Sequence, residues 1–100
     1  TLLRSCYLPA HKRQHGYFVL PILCCGNLIG RLDAKAHRGD GTFEIKSIRL
    51  EADVRPDIAM TDDVAGAIRA CAQWHATPRV VVRRGDPPQF ARQLRAAMQP

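Results

Sequence analysis

The chain has 100 residues, 46% of them hydrophobic, and a formal net charge of +6 at pH 7. This length supports one domain with a single core, and the apolar fraction is that of a globular protein rather than a disordered one. No stretch approaches the roughly 20 apolar residues that a membrane-spanning helix needs, so we expect a soluble domain and no membrane partner.

The positive charge is concentrated near the start of the chain. Residues 1–16 are predicted to form an irregular N-terminal loop, because Pro9 and Gly16 bracket a polar run. Across residues 11–38, five Lys and Arg side chains stand against one acidic side chain, whereas the remainder is nearly neutral. This asymmetry indicates either an anionic partner, most often nucleic acid, or a basic surface that keeps the domain solvated.

Residues 17–51 are predicted to form a three-stranded antiparallel meander. The run 17–25 is continuously apolar and too short for a typical helix, which favours a strand buried on both faces. Pro21 cannot donate a hydrogen bond to a neighbouring strand, so it indicates an edge position or a bulge. Gly26-Asn27 then fits a two-residue hairpin turn.

The second and third strands alternate in polarity. Over 28–35 the predicted strand places Leu28, Gly30 and Leu32 on one face and Ile29, Arg31, Asp33 and Lys35 on the other. A turn at 38–41 leads to the third strand, 42–51. There the apolar pairs change phase between Ile45 and Ile48, which predicts a β-bulge near Ser47.

Residues 61–98 are predicted to form a helix, a strand and a second helix. Thr61 is the expected N-cap of the first helix, which Pro78 ends, and Gly66 inside it requires packing to hold it. The short apolar run from Arg79 to Arg83 follows as a buried strand, and Asp86 caps the last helix. The order β-β-β-α-β-α predicts an α+β fold, in which two helices cover a curved sheet of the meander plus a fourth strand.

The four cysteines have no spacing typical of a zinc site or a disulfide framework. Cys24 and Cys25 are adjacent and would point to opposite faces of a strand. We therefore predict four reduced cysteines, no bound metal and a cytoplasmic location.

No complete catalytic motif is present, so we predict no catalytic residue and no cofactor in this chain. Trp74 and His75 are interpreted as a core Trp beside a His at a helix end, with base stacking as the alternative. Arg83 and Arg84 are interpreted as a solvated loop paired with Asp86, with a phosphate contact as the alternative.

Several blocks in the basic region together resemble a known family. They read Tyr7-x-Pro9, then Lys12-Arg13-x-x-Gly16-Tyr17-Phe18-Val19-Leu20-Pro21, then Gly30-Arg31-x-Asp33-x-Lys35-x-x-Arg38. This combination resembles the C-terminal region of the AlkZ/YcaQ-like DNA glycosylases, bacterial proteins in which winged-helix units precede a β-rich domain. The similarity covers about the first half of the chain, and we interpret residues 1–100 as the single C-terminal domain of a larger winged-helix protein.

The resemblance implies a parent hydrolase in DNA repair that excises alkylated bases and unhooks interstrand crosslinks. Its catalytic Gln-x-Gln or Gln-x-Asp motif lies in the winged-helix portion and is not found in this chain. For this domain the resemblance implies an accessory role in a channel that holds double-stranded DNA by its phosphates, through Lys12, Arg13, Tyr17, Arg31, Lys35 and Arg38. The alternative is a structural module that packs on the upstream winged-helix domains, or on a partner protein, without contacting DNA.

Overall fold

A computed structural model describes residues 6–9 and 17–99. These residues form an α+β fold of six strands and two helices. The strands are β1 (Cys6–Tyr7), β2 (Tyr17–Cys24), β3 (Asn27–His37), β4 (Thr42–Leu50), β5 (Arg79–Val82) and β6 (Gly85–Asp86). The helices are α1 (Ile58–Trp74) and α2 (Pro88–Met98).

The strands form one mixed sheet in the order β1-β2-β3-β4-β5, with β6 also beside β4. Strands β1 to β4 pair antiparallel, whereas β5 and β6 both run parallel to β4. The predicted α+β class, with a meander, a further strand and two covering helices, is confirmed. The structure adds β1 and β6, which have two residues each and are too short to produce a period in the sequence.

Strand β1 corrects two predictions. Part of the stretch 1–16, predicted as a loop, pairs with the end of β2, so that Cys6 lies opposite Cys24 and Tyr7 opposite Leu23. Cys6 and Cys24 form a disulfide, so the prediction of four reduced cysteines is wrong. The pairing depends on a two-residue strand, and the spacing of the cysteines gives no sign of that strand. Cys25, which is exposed, and Cys71 are the free thiols among the described residues.

Strand β2 is buried on one face only, not on both as predicted. Its inward residues Phe18, Leu20, Ile22 and Cys24 are each at most 3% exposed, whereas Val19 on the other face is 63% exposed. The continuous apolar run hides this alternation because the outward residues are apolar too. The register with β3 shifts between Ile22 and Leu23, but the extra residue belongs to β3. Pro21 lies outside the part of β2 that pairs with β1, which fits the predicted edge position.

Two bulges set the phase of the meander. The predicted bulge in β4 is confirmed, since Asp33 pairs with Ser47 and Ala34 with Ile45, which leaves Lys46 as the extra residue. A bulge in β3 was not predicted: Ile29 is the extra residue there, so it is buried while Leu28 is exposed, the reverse of the expected phase. The preceding turn has its positive φ angles at Cys25 and Gly26, one residue earlier than predicted.

Helix α1 begins three residues before the predicted cap. The Asp57 side chain accepts a hydrogen bond from the Met60 backbone N–H at 2.7 Å and is the N-cap. Thr61, predicted in that role, lies buried inside the helix, and its hydroxyl donates to the Asp57 carbonyl at 2.9 Å. The mistake arises because Asp57 and Thr61 carry equally suitable capping groups.

Helix α2 packs beside α1 and over the end of the sheet. It begins at Pro88, with Pro87 at the N-cap, so the prediction that Asp86 caps it is wrong; Asp86 lies in β6. Phe90 and Leu94 are fully buried in the same apolar cluster as the inward residues of the sheet and the buried residues of α1. On the outer side of the strand end, Arg95 donates to the carbonyls of Val82 and Arg83, both at 2.9 Å.

Two glycines give opposite expectations for substitution by alanine. A Cβ at Gly30 would overlap the carbonyl oxygen of Arg49, which is backbone and cannot turn aside, so Gly30→Ala should destabilise the domain by about 1–3 kcal/mol. A Cβ at Gly66 would meet nothing within 4 Å, contrary to the predicted packing, so Gly66→Ala should stabilise by roughly 0.5–1 kcal/mol. Urea unfolding of both variants checks this, and equal effects would contradict the register between β3 and β4.

Candidate nucleic-acid interface

The side of the sheet away from the helices carries three of the six predicted contact residues, Tyr17, Arg31 and Lys35. We call this side the open face and define it by Tyr17, Val19, Pro21, Arg31, Asp33, Lys35, Glu44, Lys46 and Arg49. These residues alternate with buried ones in β2, β3 and β4, so the core that orders the inward side chains also fixes the outward ones. An antiparallel sheet with one covered face commonly presents the other to water or to a ligand.

Tyr17 lies between two lysines at one end of the open face. It pairs with Lys35 across β2 and β3, and the Lys35 Nζ lies 4.7 Å from the centre of its ring. The Nζ of Lys46, the bulged residue of β4, lies 4.9 Å from the same ring. A hydrogen bond with Lys35, followed by the charges of both lysines, lowers the pKa of Tyr17. The ring of Tyr17 thus lies within cation–π distance of two ammonium groups.

Arg31 lies further along the same strand face. It is exposed, pairs with Pro21 on one side and with Arg49 on the other, and so forms a basic pair with Arg49. Arg49 approaches Asp86 at 3.8 Å, but both side chains are 73% exposed, so this ion pair is weak. Asp33, two residues from both Arg31 and Lys35, accepts a hydrogen bond from the Ser47 hydroxyl at 3.5 Å.

Glu44 is engaged by two neighbours. His37 Nε2 lies 2.8 Å from one carboxylate oxygen, and Arg83 Nε donates to the other at 3.1 Å. The hydrogen bond with His37, then that with Arg83, lowers the pKa of Glu44. Arg83 therefore pairs with Glu44, whereas the predicted partner was Asp86. Because Glu44 is held in this way, it does not neutralise Lys35, its register partner.

Arg38 lies in the turn between β3 and β4, at the edge of the open face. Its Nε donates to the backbone carbonyl of His75 at 3.4 Å, so this residue connects the turn to the end of α1. Arg38, which is predicted to contact a phosphate, therefore also makes a hydrogen bond within the fold. The side chain is nevertheless exposed, and a guanidinium has further N–H groups that can bind an anion.

Trp74 and His75 have the opposite burial from the one preferred on sequence grounds. Trp74 is 76% exposed and His75 is 6% exposed, so the interpretation of a core Trp is wrong. The imidazole of His75 lies against the ring of Phe18, with centroids 4.3 Å apart, and is nearly parallel to the ring of Phe43 at 6.5 Å. The imidazole thus takes the buried position beside the two phenylalanines, and the indole lies outside.

The structure brings Tyr17, Arg31 and Lys35 together on one face and places Arg38 at its edge. Lys12 and Arg13, also predicted, lie outside the described residues. The sequence-based set of contact residues does not include Lys46 and Arg49, although alternation with the inward residues Ile45 and Ile48 places both side chains on the open face. Neither helix in the described part of the chain has the length and hydropathy that crossing a membrane would require. Within 6–9 and 17–99, no three His, Cys, Asp or Glu side chains come together as metal ligands would.

No family model matches the sequence, and no solved structure matches the chain. Membership of the glycosylase family therefore stays a prediction from the motifs.

The pKa of Glu44 provides a test of the geometry at the open face. His37→Ala should raise this pKa towards its usual 4.5, and Arg83→Ala should raise it by less, because the His37 hydrogen bond is the larger cause. Since the folded-state pKa is lowered, the stabilisation from Glu44 is fully present above its unfolded pKa and is lost as pH falls through the folded value. Carboxyl NMR titration measures the shift, with Arg92→Ala as control, and a larger effect of Arg83→Ala would contradict the arrangement.

Proposed function

We propose that this domain binds the phosphate backbone of DNA through its open face, as an accessory domain of a bacterial DNA-repair glycosylase that acts on alkylated or crosslinked bases. The observation that supports it best is the placement of Lys35 and Lys46 around Tyr17 on an exposed sheet surface. Two ammonium groups and an aromatic hydroxyl converge there. Groups of this type contact phosphates, which carry no sequence information, so the binding is independent of base sequence.

The spacing of the basic residues suits a DNA strand. Arg31 and Lys35 lie on the same face of β3, four positions apart, which corresponds to roughly 13 Å at about 3.3 Å per residue. At this separation the two side chains can each reach a different phosphate of one DNA strand. Lys46 and Arg49 add a second row on β4, at the usual distance of about 4.8 Å between strands.

Catalysis is assigned to the upstream part of the parent protein. The resemblance puts the glycosylase motif in the winged-helix domains, and no residue of this chain takes a catalytic role in the proposal. Enzymes that act on a base must take it out of the duplex, and this requires surfaces that hold the backbone on either side. The open face serves as one such surface.

An apolar stripe on the same side favours a second candidate function, an interaction module. Tyr7 is 50% exposed, Val19 63% and Leu28 42%, and these three lie on neighbouring strands β1, β2 and β3. A contiguous apolar patch on a domain surface is typical of a protein interface. In this function the stripe packs on the winged-helix domains of the same protein, and the basic residues of β3 and β4 border that contact.

A cytoplasmic location belongs to the proposal, since the DNA of a bacterium lies there. The Cys6–Cys24 disulfide stands against it, because disulfides persist mainly in oxidising compartments. If the protein works in the cytoplasm, thiol alkylation in intact cells should modify Cys6 and Cys24, while Cys25 serves as the exposed reference thiol. Mass spectrometry of the alkylated protein gives the count of modified cysteines. If Cys6 and Cys24 resist alkylation until a reductant is added, the cytoplasmic location is excluded.

The proposed function predicts a change in the salt dependence of DNA binding. Each phosphate contact with duplex DNA contributes roughly 0.9 to the magnitude of the slope of log K against log [salt]. The double variant Arg31→Ala/Lys35→Ala removes two contacts, so the magnitude of its slope should fall by about 1.8. The control is Arg92→Ala, which removes an exposed charge from α2. The titration uses the intact protein, with circular dichroism to confirm folding.

Two outcomes separate the candidate functions. A reduced slope in the double variant alone supports phosphate contact by the open face. An unchanged slope would favour the interaction module instead, if the apolar stripe of Tyr7, Val19 and Leu28 is also labelled faster once the upstream domains are removed.

A further inference from the structure

Trp74, the chain's single tryptophan, is the most exposed aromatic side chain in the described residues. It is the last residue of α1, and the neighbouring His75 takes the buried position that the indole would otherwise fill. The proposed phosphate contacts do not involve this side chain. The exposed indole therefore has no role so far in either the core or the proposed binding surface.

The position of Trp74 relative to the open face follows from three contacts. Arg38 donates to the carbonyl of His75, the residue next to Trp74. The His75 ring lies against Phe18, which adjoins Tyr17 in β2. The Arg79 backbone N–H donates to the Gly41 carbonyl at 3.0 Å, which joins the segment after α1 to the same turn as Arg38. Trp74 thus lies at the end of the sheet where Tyr17 and its two lysines are found, on the side that the helices cover.

The charge at this end is suited to a polyanion. Lys35, Lys46, Arg38 and Arg79 lie around it, and the carboxylates nearby are Asp40 and Glu44. Asp40 accepts a hydrogen bond from the Thr42 backbone N–H at 3.2 Å, and Glu44 is engaged by His37 and Arg83. An exposed indole beside several cations, with its carboxylate neighbours already engaged, matches the arrangement that binds single-stranded nucleic acid, in which aromatic rings stack on bases and cations follow the backbone.

We propose that Trp74 stacks on an unpaired base of the bound DNA while Arg38 contacts an adjacent phosphate. Bases inside a duplex are stacked on one another and expose no face to an indole, so the partner at this end of the sheet is a single-stranded or locally opened segment. This inference rests on the proposed function and adds to it the class of DNA structure that is bound. Ile58, at the opposite end of α1 and 82% exposed, has no such surroundings and provides the matched control.

Because Trp74 is the single tryptophan, its fluorescence reports on this position alone. The probe is an oligothymidylate of about 12 nucleotides, within the range of roughly 4–16 that one small binding fold covers, compared with a blunt duplex of equal length. We expect the single strand to quench the tryptophan emission and the duplex to leave it nearly unchanged. Trp74→Ala should weaken binding of the single strand by about tenfold, a value typical of one lost stacking contact. Fluorescence anisotropy of labelled DNA measures this affinity. Trp74→Phe should weaken it only a few-fold, and Ile58→Ala should leave it unchanged.

The outcomes distinguish this inference from the function on which it rests. Duplex binding with the expected salt slope, but without tryptophan quenching by the single strand, would overturn the stacking role and leave the phosphate contacts standing. Absence of binding to either DNA would overturn both. An equal loss of duplex and single-strand affinity in Trp74→Ala, with Trp74→Phe equally weak, would assign the residue to general packing and also overturn the inference.

Discussion

The position of both helices on one side of the sheet is the constraint on which the rest of this structure depends. Phe90 and Leu94 of α2 join the buried residues of α1 and the inward side chains of the strands in a single apolar cluster. Burial of that cluster is the main favourable term in folding, and it requires every strand to direct alternate residues inward. The outward residues then have fixed positions without having to stabilise the fold, and they are available for binding.

The two bulges adjust this alternation where the sequence would otherwise break it. Each inserts one residue. In β4 the extra residue, Lys46, lets Phe43 and Ile45 before it and Ile48 and Leu50 after it all face the core. In β3 the extra residue, Ile29, is itself buried, and Leu28 before it is exposed. Bulges of this kind keep the core intact while changing which side chains reach the surface.

Sequence reasoning found the features that repeat along the chain and missed those decided by tertiary contact. The outward row of Arg31 and Lys35 and the bulge in β4 follow from alternation alone, so they could be predicted. The phase of Leu28 and Ile29 could not, because both residues are apolar and either one fits the core. The exposure of Trp74 depends on which of two neighbouring rings packs beside Phe18 and Phe43, and no pattern along the chain records that choice.

Arg95 has a consequence for how the domain behaves at high concentration. Strand β5 is at one end of the described sheet order, and unpaired backbone groups on such a strand are a template on which a second molecule can add a strand. The guanidinium of Arg95 binds the carbonyls of Val82 and Arg83, which an incoming strand would need, and it brings a positive charge to the same edge. Two copies that approach edge to edge therefore meet blocked acceptors and like charges, and this arrangement opposes aggregation through β5.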